Sequence, residues 1–290
     1  LYTFLGYKAE RWLTERPGHA EELARKAAHA GAGLVVSCSG DGGVRDTVAG
    51  LVSLPESERP LLSVVPKGTA NVLAKTVGLQ AGPVPDVLHA CLRQLYWARE
   101  RPLDVGFVDD TAFACFVGFG FDAALIENVP SKDKRLLKEW AYLLAGLRTL
   151  FGWNWGARRF EPYRPPLMRV QGVDVAGKEV DLRGYFVAVG NVRDYGSNLF
   201  PFMHGAQHDD GKLDVIVVLT RELGELLRIG QQVVRRTHLK NPHVVSFQSS
   251  QPFTVESLED PVPMHADCEL QARQDRVRVR LAPAALRVLA

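Results

Sequence analysis

The sequence predicts an α/β domain over residues 1–103 followed by an antiparallel β-sandwich over 104–283, with 284–290 as a C-terminal segment returning to the first domain. Three observations carry this. In the first third, strand-like and helix-like stretches alternate through glycine-rich connections, the order of a parallel layer. Past Pro102, strand-like stretches follow one another with few helical interruptions, the texture of an antiparallel sandwich. A chain of 290 residues can also bury two ordinary cores without disulfides or structural metals.

Residues 19–30 mix charged and small apolar types at helical spacing (Leu23, Ala24, Ala27, Ala28) just after Pro17 and Gly18, and predict a surface helix. Residues 34–36 read as a short buried strand, 44–54 as a second helix, 61–65 as a second strand and 71–77 as a third helix. Strands are then expected at 104–108, 111–118, 167–175, 185–191, 213–220, 243–248, 253–257 and 277–281. Helices are expected at 132–151 and 222–235.

Composition excludes some classes. A hydrophobic share of 46%, a charged share of 23% and a formal net charge of +2 give no global attraction to nucleic acid or to an anionic membrane, so any lipid contact must be local. Cys38, Cys91, Cys115 and Cys268 form neither a zinc pattern nor a disulfide framework, which points to a reducing, cytoplasmic setting. The longest apolar runs, such as residues 215–219, fall far short of the ~20 residues of a membrane span. Leu1 is not an initiator methionine and the chain opens mid-pattern, so a preceding segment is expected.

The run LVVSCSGDGGVRD over 34–46 sets a strand before glycines and a helix start, an arrangement that brings backbone N–H donors and the positive end of a helix to a phosphate. Such a turn also carries glycine for steric reasons alone. No third dinucleotide-fold glycine and no GxxxxGK[ST] occur. Asp41 beside a phosphate would be repulsive unless a divalent cation or a proton-donating partner lies between, which suggests Mg²⁺. A second turn, PKGTAN over 66–71, places Gly68, Thr69 and Asn71 at another helix start; either polar residue also fits a plain N-cap.

Together the two turns resemble the signature of the diacylglycerol kinase catalytic domain, shared by bacterial lipid kinases and sphingosine kinases. The first resembles a GGDGT-type loop, here SGDGG, and the second a GTxN loop. Further matches are FVGFGFD at 116–122, VGN at 189–191, AQHDDGKL at 206–213 and ADCE at 266–269. The resemblance implies an NAD-kinase-like α/β domain and a β-sandwich with the active site in the cleft between them, the family's first strand preceding Leu1. It implies ATP contacts at Thr14, Gly40, Asp41, Gly42, Gly43, Val44, Arg45, Asp46, Gly68, Thr69 and Asn71. A structural Mg²⁺ would be held by Asp210 and main-chain carbonyls at Gln207 and Lys212, though Asp-Asp-Gly is also an ordinary turn.

The sequence departs from that pattern at Gly43 (usually threonine), Asp46 (usually glutamate), Val72 (often aspartate) and Cys268 (usually glycine). Phosphoryl transfer to an alcohol needs a base near the hydroxyl, and Asp267 and Glu269 supply carboxylates which, at i and i+2 of an extended strand, would share a face. One of the two is expected to act as base, with Asp41, close to the phosphates, organising catalytic Mg²⁺ through water. The acceptor is expected to be a lipid alcohol met at a peripheral membrane surface on the inner face, with no nucleic acid as partner; a homodimer stays open. Aromatic and basic residues over 135–159 (Trp140, Tyr142, Phe151, Trp153 and Trp155 with Lys138, Arg148, Arg158 and Arg159) suit a membrane interface, while Leu136, Trp140, Leu143, Leu144 and Leu147 also fit an amphipathic helix packed onto the sandwich, which leaves the aromatic tail after Gly152 as the better membrane candidate. Two alternatives stand beside the lipid kinase: an NAD kinase, which should carry an acid after Asn71, and a catalytically silent lipid- or nucleotide-binding regulator.

Overall fold

The computed structural model describes residues 6, 8–79, 99–127, 164–193, 202–203 and 205–290. The expected helix at 132–151 and the aromatic and basic stretch at 135–159 lie outside them. The chain divides into two compact units: residues 1–103 with 285–290, and residues 104–284.

The first unit is α/β. Helix α1 (His19–His29) leads to strand β1 (Leu34–Ser39), helix α2 (Asp41–Val52), strand β2 (Leu61–Pro66) and the short helix α3 (Val72–Thr76). β1 and β2 run parallel in register from Leu34↔Leu61 to Ser39↔Pro66. Residues 285–289 pair parallel to β2 through Val288↔Leu62, and Arg59 fixes this closing segment by donating to the Ala285 carbonyl at 2.8 Å. Leu51, Leu62, Leu73 and Val288 are all fully or nearly fully buried, so the layer is sealed by apolar side chains from both ends of the sequence. Helix α2 begins at Asp41, earlier than the periodicity suggests, because Gly42 and Gly43 occupy its first turn rather than a loop.

The second unit is built on antiparallel sheets. One has the order β10-β9-β8-β5-β12-β13, made of Val244–Ser249, Leu213–Val218, Phe186–Gly190, Phe116–Gly120, Val262–Ala266 and Glu269–Gln274. The other pairs β7 (Glu179–Gly184), β6 (Met168–Val173), β11 (Phe253–Ser257) and the first part of β14 (Arg276–Leu289). Phe113, Phe119, Met168, Val187, Val215, Phe253, Met264 and Val279 meet in one core drawn from both sheets, the interdigitated interior of a sandwich. β7 escapes sequence reading because it offers only two apolar side chains, half-buried Val180 and Leu182, between exposed Glu179, Asp181 and Arg183, as an edge strand allows.

The stretch expected as a single strand at 111–118 is two strands, Thr111–Phe113 and Phe116–Gly120. The break falls at Ala114 and Cys115, whose N–H groups turn to a buried carboxylate. Residues 262–274 form a hairpin, Val262–Ala266 pairing antiparallel with Glu269–Gln274. The expected helix at 222–235 is present as Leu223–Val234.

Candidate functional site

In the first unit the two turns are pressed together backbone against backbone. A Cβ on Gly68 would lie 2.6 Å from the Gly40 Cα, and one on Gly40 would lie 3.1 Å from the Gly68 Cα, so both positions require glycine for contact between the turns themselves. Asp41, the first residue of α2, locks them: its Oδ2 accepts the Asn71 N–H at 2.8 Å and its Oδ1 the Val72 N–H at 2.6 Å. A carboxylate at the start of α2 thus caps α3. Asn71 does not act as a side-chain cap. It sits in the left-handed region (φ 48°) and folds back onto Gly68, accepting its N–H and donating to its carbonyl, both at 2.7 Å. The proton-donating partner that Asp41 needs beside a phosphate is therefore the start of α3.

The beginning of α2 has no side-chain cap, and Val44 N–H is the first to find an intrahelical acceptor, the Gly40 carbonyl at 3.1 Å. The amides of the first turn thus face out of a 12-residue helix toward the space an anion would take. Val44 is buried and Arg45 pairs with Asp46 at 2.7 Å, so these residues build the turn more than they present side chains. Thr69 is exposed beside the turns, whereas Thr14 lies exposed in the irregular segment before α1, and no hydrogen bond described ties it to them.

Burial pushes the Asp41 carboxyl above its usual range, against the opposing pull of the Val72 and Asn71 N–H groups. A raised folded pKa contributes stability that is complete below the unfolded value near 3.8 and is lost as pH rises through the folded value. Asp41→Asn cannot titrate and its amide satisfies one N–H at most, so it should cost about 1–3 kcal/mol. Its deficit relative to wild type should be widest in acid and narrow toward neutrality; denaturant midpoints of both proteins across pH check this.

In the second unit, Asp267 and Glu269 do not share a strand face. Ala266 pairs with Glu269, leaving Asp267 and Cys268 as a two-residue hairpin loop with φ 48° and 65°, a type I′ turn. Asp267 is buried, and its carboxylate accepts three backbone N–H groups, from Ala114 at 2.7 Å and from Cys115 and Phe116 at 2.9 Å. Its own N–H donates to the Phe116 carbonyl at 2.9 Å. Glu269 is exposed at the start of β13. Beneath the loop, fully buried His265 accepts the Cys268 N–H at 3.3 Å and meets Phe116 edge-on at 5.8 Å.

Cys268 thus keeps the geometry that glycine would supply, at the left-handed penalty of about 1–2 kcal/mol for an L side chain. Cys268→Gly should raise stability by up to about 1 kcal/mol after the entropy of glycine is deducted, read as a higher thermal midpoint.

The turn at 207–212 carries Asp210, whose Oδ1 accepts the Lys212 N–H at 3.1 Å and whose Oδ2 lies 3.9 Å from the Lys212 ammonium. Beside it is Asp104, a residue sequence reasoning missed, although a carboxylate between Leu103 and Val105 in an apolar strand was a visible signal. Asp104 accepts the N–H groups of Gly211 and Ala284 at 2.7 Å each. Burial pushes its carboxyl up, and the charges of Asp210 and Asp209 push it the same way. A cation fits so negative a region. Among the described residues no three side chains of metal-ligating type converge, so the donors would be Asp210, main-chain oxygens such as those of Gln207 and Lys212, and water, a set suited to Mg²⁺. Asn191 braces the same region, donating to the carbonyls of Asp104 at 2.7 Å and Ala114 at 3.0 Å.

Residues 3–108 match the diacylglycerol kinase catalytic domain, and residues 115–290 match the YegS C-terminal NAD kinase beta sandwich-like domain. The chain belongs to the diacylglycerol kinase-like lipid kinase family. It is 30% identical to the probable lipid kinase YegS-like protein of Chromohalobacter salexigens over 94% of its own length and 81% of that protein. With the diacylglycerol kinase of Bacillus subtilis it shares 28% identity over 83% of this chain and 73% of that one. Its fold is that of a putative diacylglycerol kinase from Bacillus anthracis, with a TM-score of 0.71, 19% identity and coverage of 95% of this chain and 82% of that one.

Against the lipid kinase pattern, the departure at Gly43 has a local reason. A Cβ there would lie 2.7 Å from both Cβ and Oγ of Ser39. The serine, standing where a GGDGT loop has glycine, fills the space that the threonine side chain would enter. Ser39 Oγ also lies 2.9 Å from Ser37 Oγ, to which Thr47 donates at 3.1 Å, so the exchange is built into a hydroxyl cluster under the first turn.

Proposed function

We propose that this chain is an ATP-dependent lipid kinase that transfers the terminal phosphate of ATP to a hydroxyl of a lipid such as diacylglycerol or a sphingoid base. The observation that carries this reading is the Asp41 clamp, which fixes two glycine turns together at the starts of α2 and α3 within a chain of the lipid kinase family. The turns bind the polyphosphate through main-chain donors of Gly40, Gly42, Gly43 and Thr69, so the α2 dipole takes up part of its charge. Mg²⁺ at Asp210 and the neighbouring main-chain oxygens would neutralise negative charge in the second unit. Glu269 accepts the proton of the acceptor hydroxyl as that oxygen bonds to the γ-phosphorus and the β–γ bridge oxygen leaves with ADP. Asp267, saturated with N–H donors, holds the hairpin that presents it. Asp41 has a positioning part, since both of its oxygens already serve α3.

An NAD kinase would need an acid after Asn71, and the residue there is Val72, buried in the first unit. Incubating the chain with γ-labelled ATP, Mg²⁺ and a mixed lipid extract, then separating the products by chromatography, tests the proposal. Label is expected in a lipid phosphate, and label in NADP or in inorganic phosphate alone would overturn it.

A further inference from the structure

The helix Leu223–Val234 in the second unit packs onto its domain through Ile229 and Val233, which are 5% and 4% exposed. It nevertheless carries more apolar surface than that contact uses. Leu223, Leu227 and Val234 are 39%, 42% and 61% exposed, and they fall within about 40° of one another around the helix axis at 3.6 residues per turn. They form a stripe beside the buried face, and Leu239 is a further exposed apolar side chain, at 39%, in the 3-10 turn that follows.

The flank of the stripe is basic. Arg221 lies 5.0 Å over the Tyr185 ring and 3.9 Å from Glu259, and Arg228 lies 3.7 Å from Glu225. Arg235, Arg236 and Lys240 are exposed and, among the described residues, have no carboxylate within ion-pair distance. Arg236 holds the left-handed position that closes the helix (φ 58°), donating to the Val233 carbonyl at 2.9 Å while Thr237 donates to Gln232 at 2.8 Å. Glycine is the usual occupant of that position, so an arginine there keeps a cation at a cost in backbone energy. An exposed apolar stripe bordered by cations is the composition of a helix lying in a lipid interface, its leucines among the upper acyl chains and its arginines at the phosphates.

We propose that the Leu223–Val234 helix, with Leu239 and the cations at 235, 236 and 240, is the surface by which this protein docks onto an anionic membrane. The proposal deepens the lipid-kinase reading by naming where the chain meets the bilayer that holds its acceptor. A second copy of the chain fits less well, because two such surfaces would bring their unpaired cations together.

Cosedimentation of the full chain with vesicles tests this. Wild type should bind mixed phosphatidylcholine and phosphatidylglycerol vesicles, bind phosphatidylcholine alone weakly, and lose binding as salt rises. Arg235→Gln with Arg236→Gln should weaken anionic binding about 30-fold, at roughly fivefold per cation. Leu227→Asn with Val234→Asn should weaken it without changing the salt dependence. Arg236→Gly should raise the thermal midpoint yet bind about fivefold more weakly, a combination a purely structural arginine would not give. Anionic binding unchanged in the double variants, or no preference of wild type for anionic vesicles, would overturn the proposal, as would a dimer in solution dissolved by Leu227→Asn. Phosphorylation of lipid in detergent micelles should be equal in wild type and variants. If no lipid is labelled there while vesicle binding follows the variants, the kinase reading falls and the docking surface stands.

Discussion

Asp267→Asn should destabilise the second unit by about 3–5 kcal/mol, since hydrogen bonds to a charged group are worth about 1.5–3 kcal/mol each and here share one carboxylate. Its two oxygens accept the N–H groups of Ala114, Cys115 and Phe116, across the break between two strands that both feed the core through Phe113 and Val117. An asparagine offers one acceptor atom and turns its NH₂ toward at least one of those donors. The buried donor left behind then bears its full desolvation cost. Against a total stability of about 5–15 kcal/mol this is a large fraction, so the variant should unfold at much lower denaturant and lose activity as a consequence of unfolding. Urea unfolding followed by far-UV circular dichroism reads it. A midpoint within experimental error of wild type would show that the strand break is held by other groups.

Glu269→Gln should behave in the opposite way. Its side chain is exposed at the edge of the hairpin, so the substitution should leave stability within about 0.5 kcal/mol of wild type. As the proposed base, its loss should lower turnover roughly 10²–10⁴-fold, and the KM for ATP should stay the same because the interaction removed belongs to the transition state. Rates and ATP titrations on the folded variant separate these effects. Turnover equal to wild type would remove Glu269 from the chemistry, and a fall in ATP affinity matching the fall in rate would make it a binding residue. The contrast between the two neighbouring carboxylates is the sharpest consequence of the hairpin: one should be read in a denaturation curve, the other in a rate.

The fold class was legible because it rests on periodicity and punctuation. The alternation of apolar strands with helices through residue 77, and the run of strands afterward, report which surfaces must be buried whatever the partners are. The Leu223–Val234 helix shows in its spacing for the same reason. Edge strand β7 was hidden because its apolar side chains are only two, Val180 and Leu182, and both stay half-buried. The hairpin at 262–274 was hidden because Asp-Cys is not a recognised type I′ pair, the usual signal being a glycine at the second position. Asp104 was passed over because spacing says nothing of which amides a carboxylate in a strand will meet.

What the sequence determined by itself was the family, the two kinds of domain and the identity of the acidic and glycine-rich turns, since each depends on residues close together along the chain. What only the tertiary structure decided was the work those residues do. Asp41 finds its partners 30 and 31 residues away, and Asp267 finds its own 151 to 153 residues away. A carboxylate's role is set by the donors around it and by its access to water. In this chain those donors are backbone amides brought in by folding, so Asp267 becomes a buried brace while Glu269, two residues on, keeps its place in solvent.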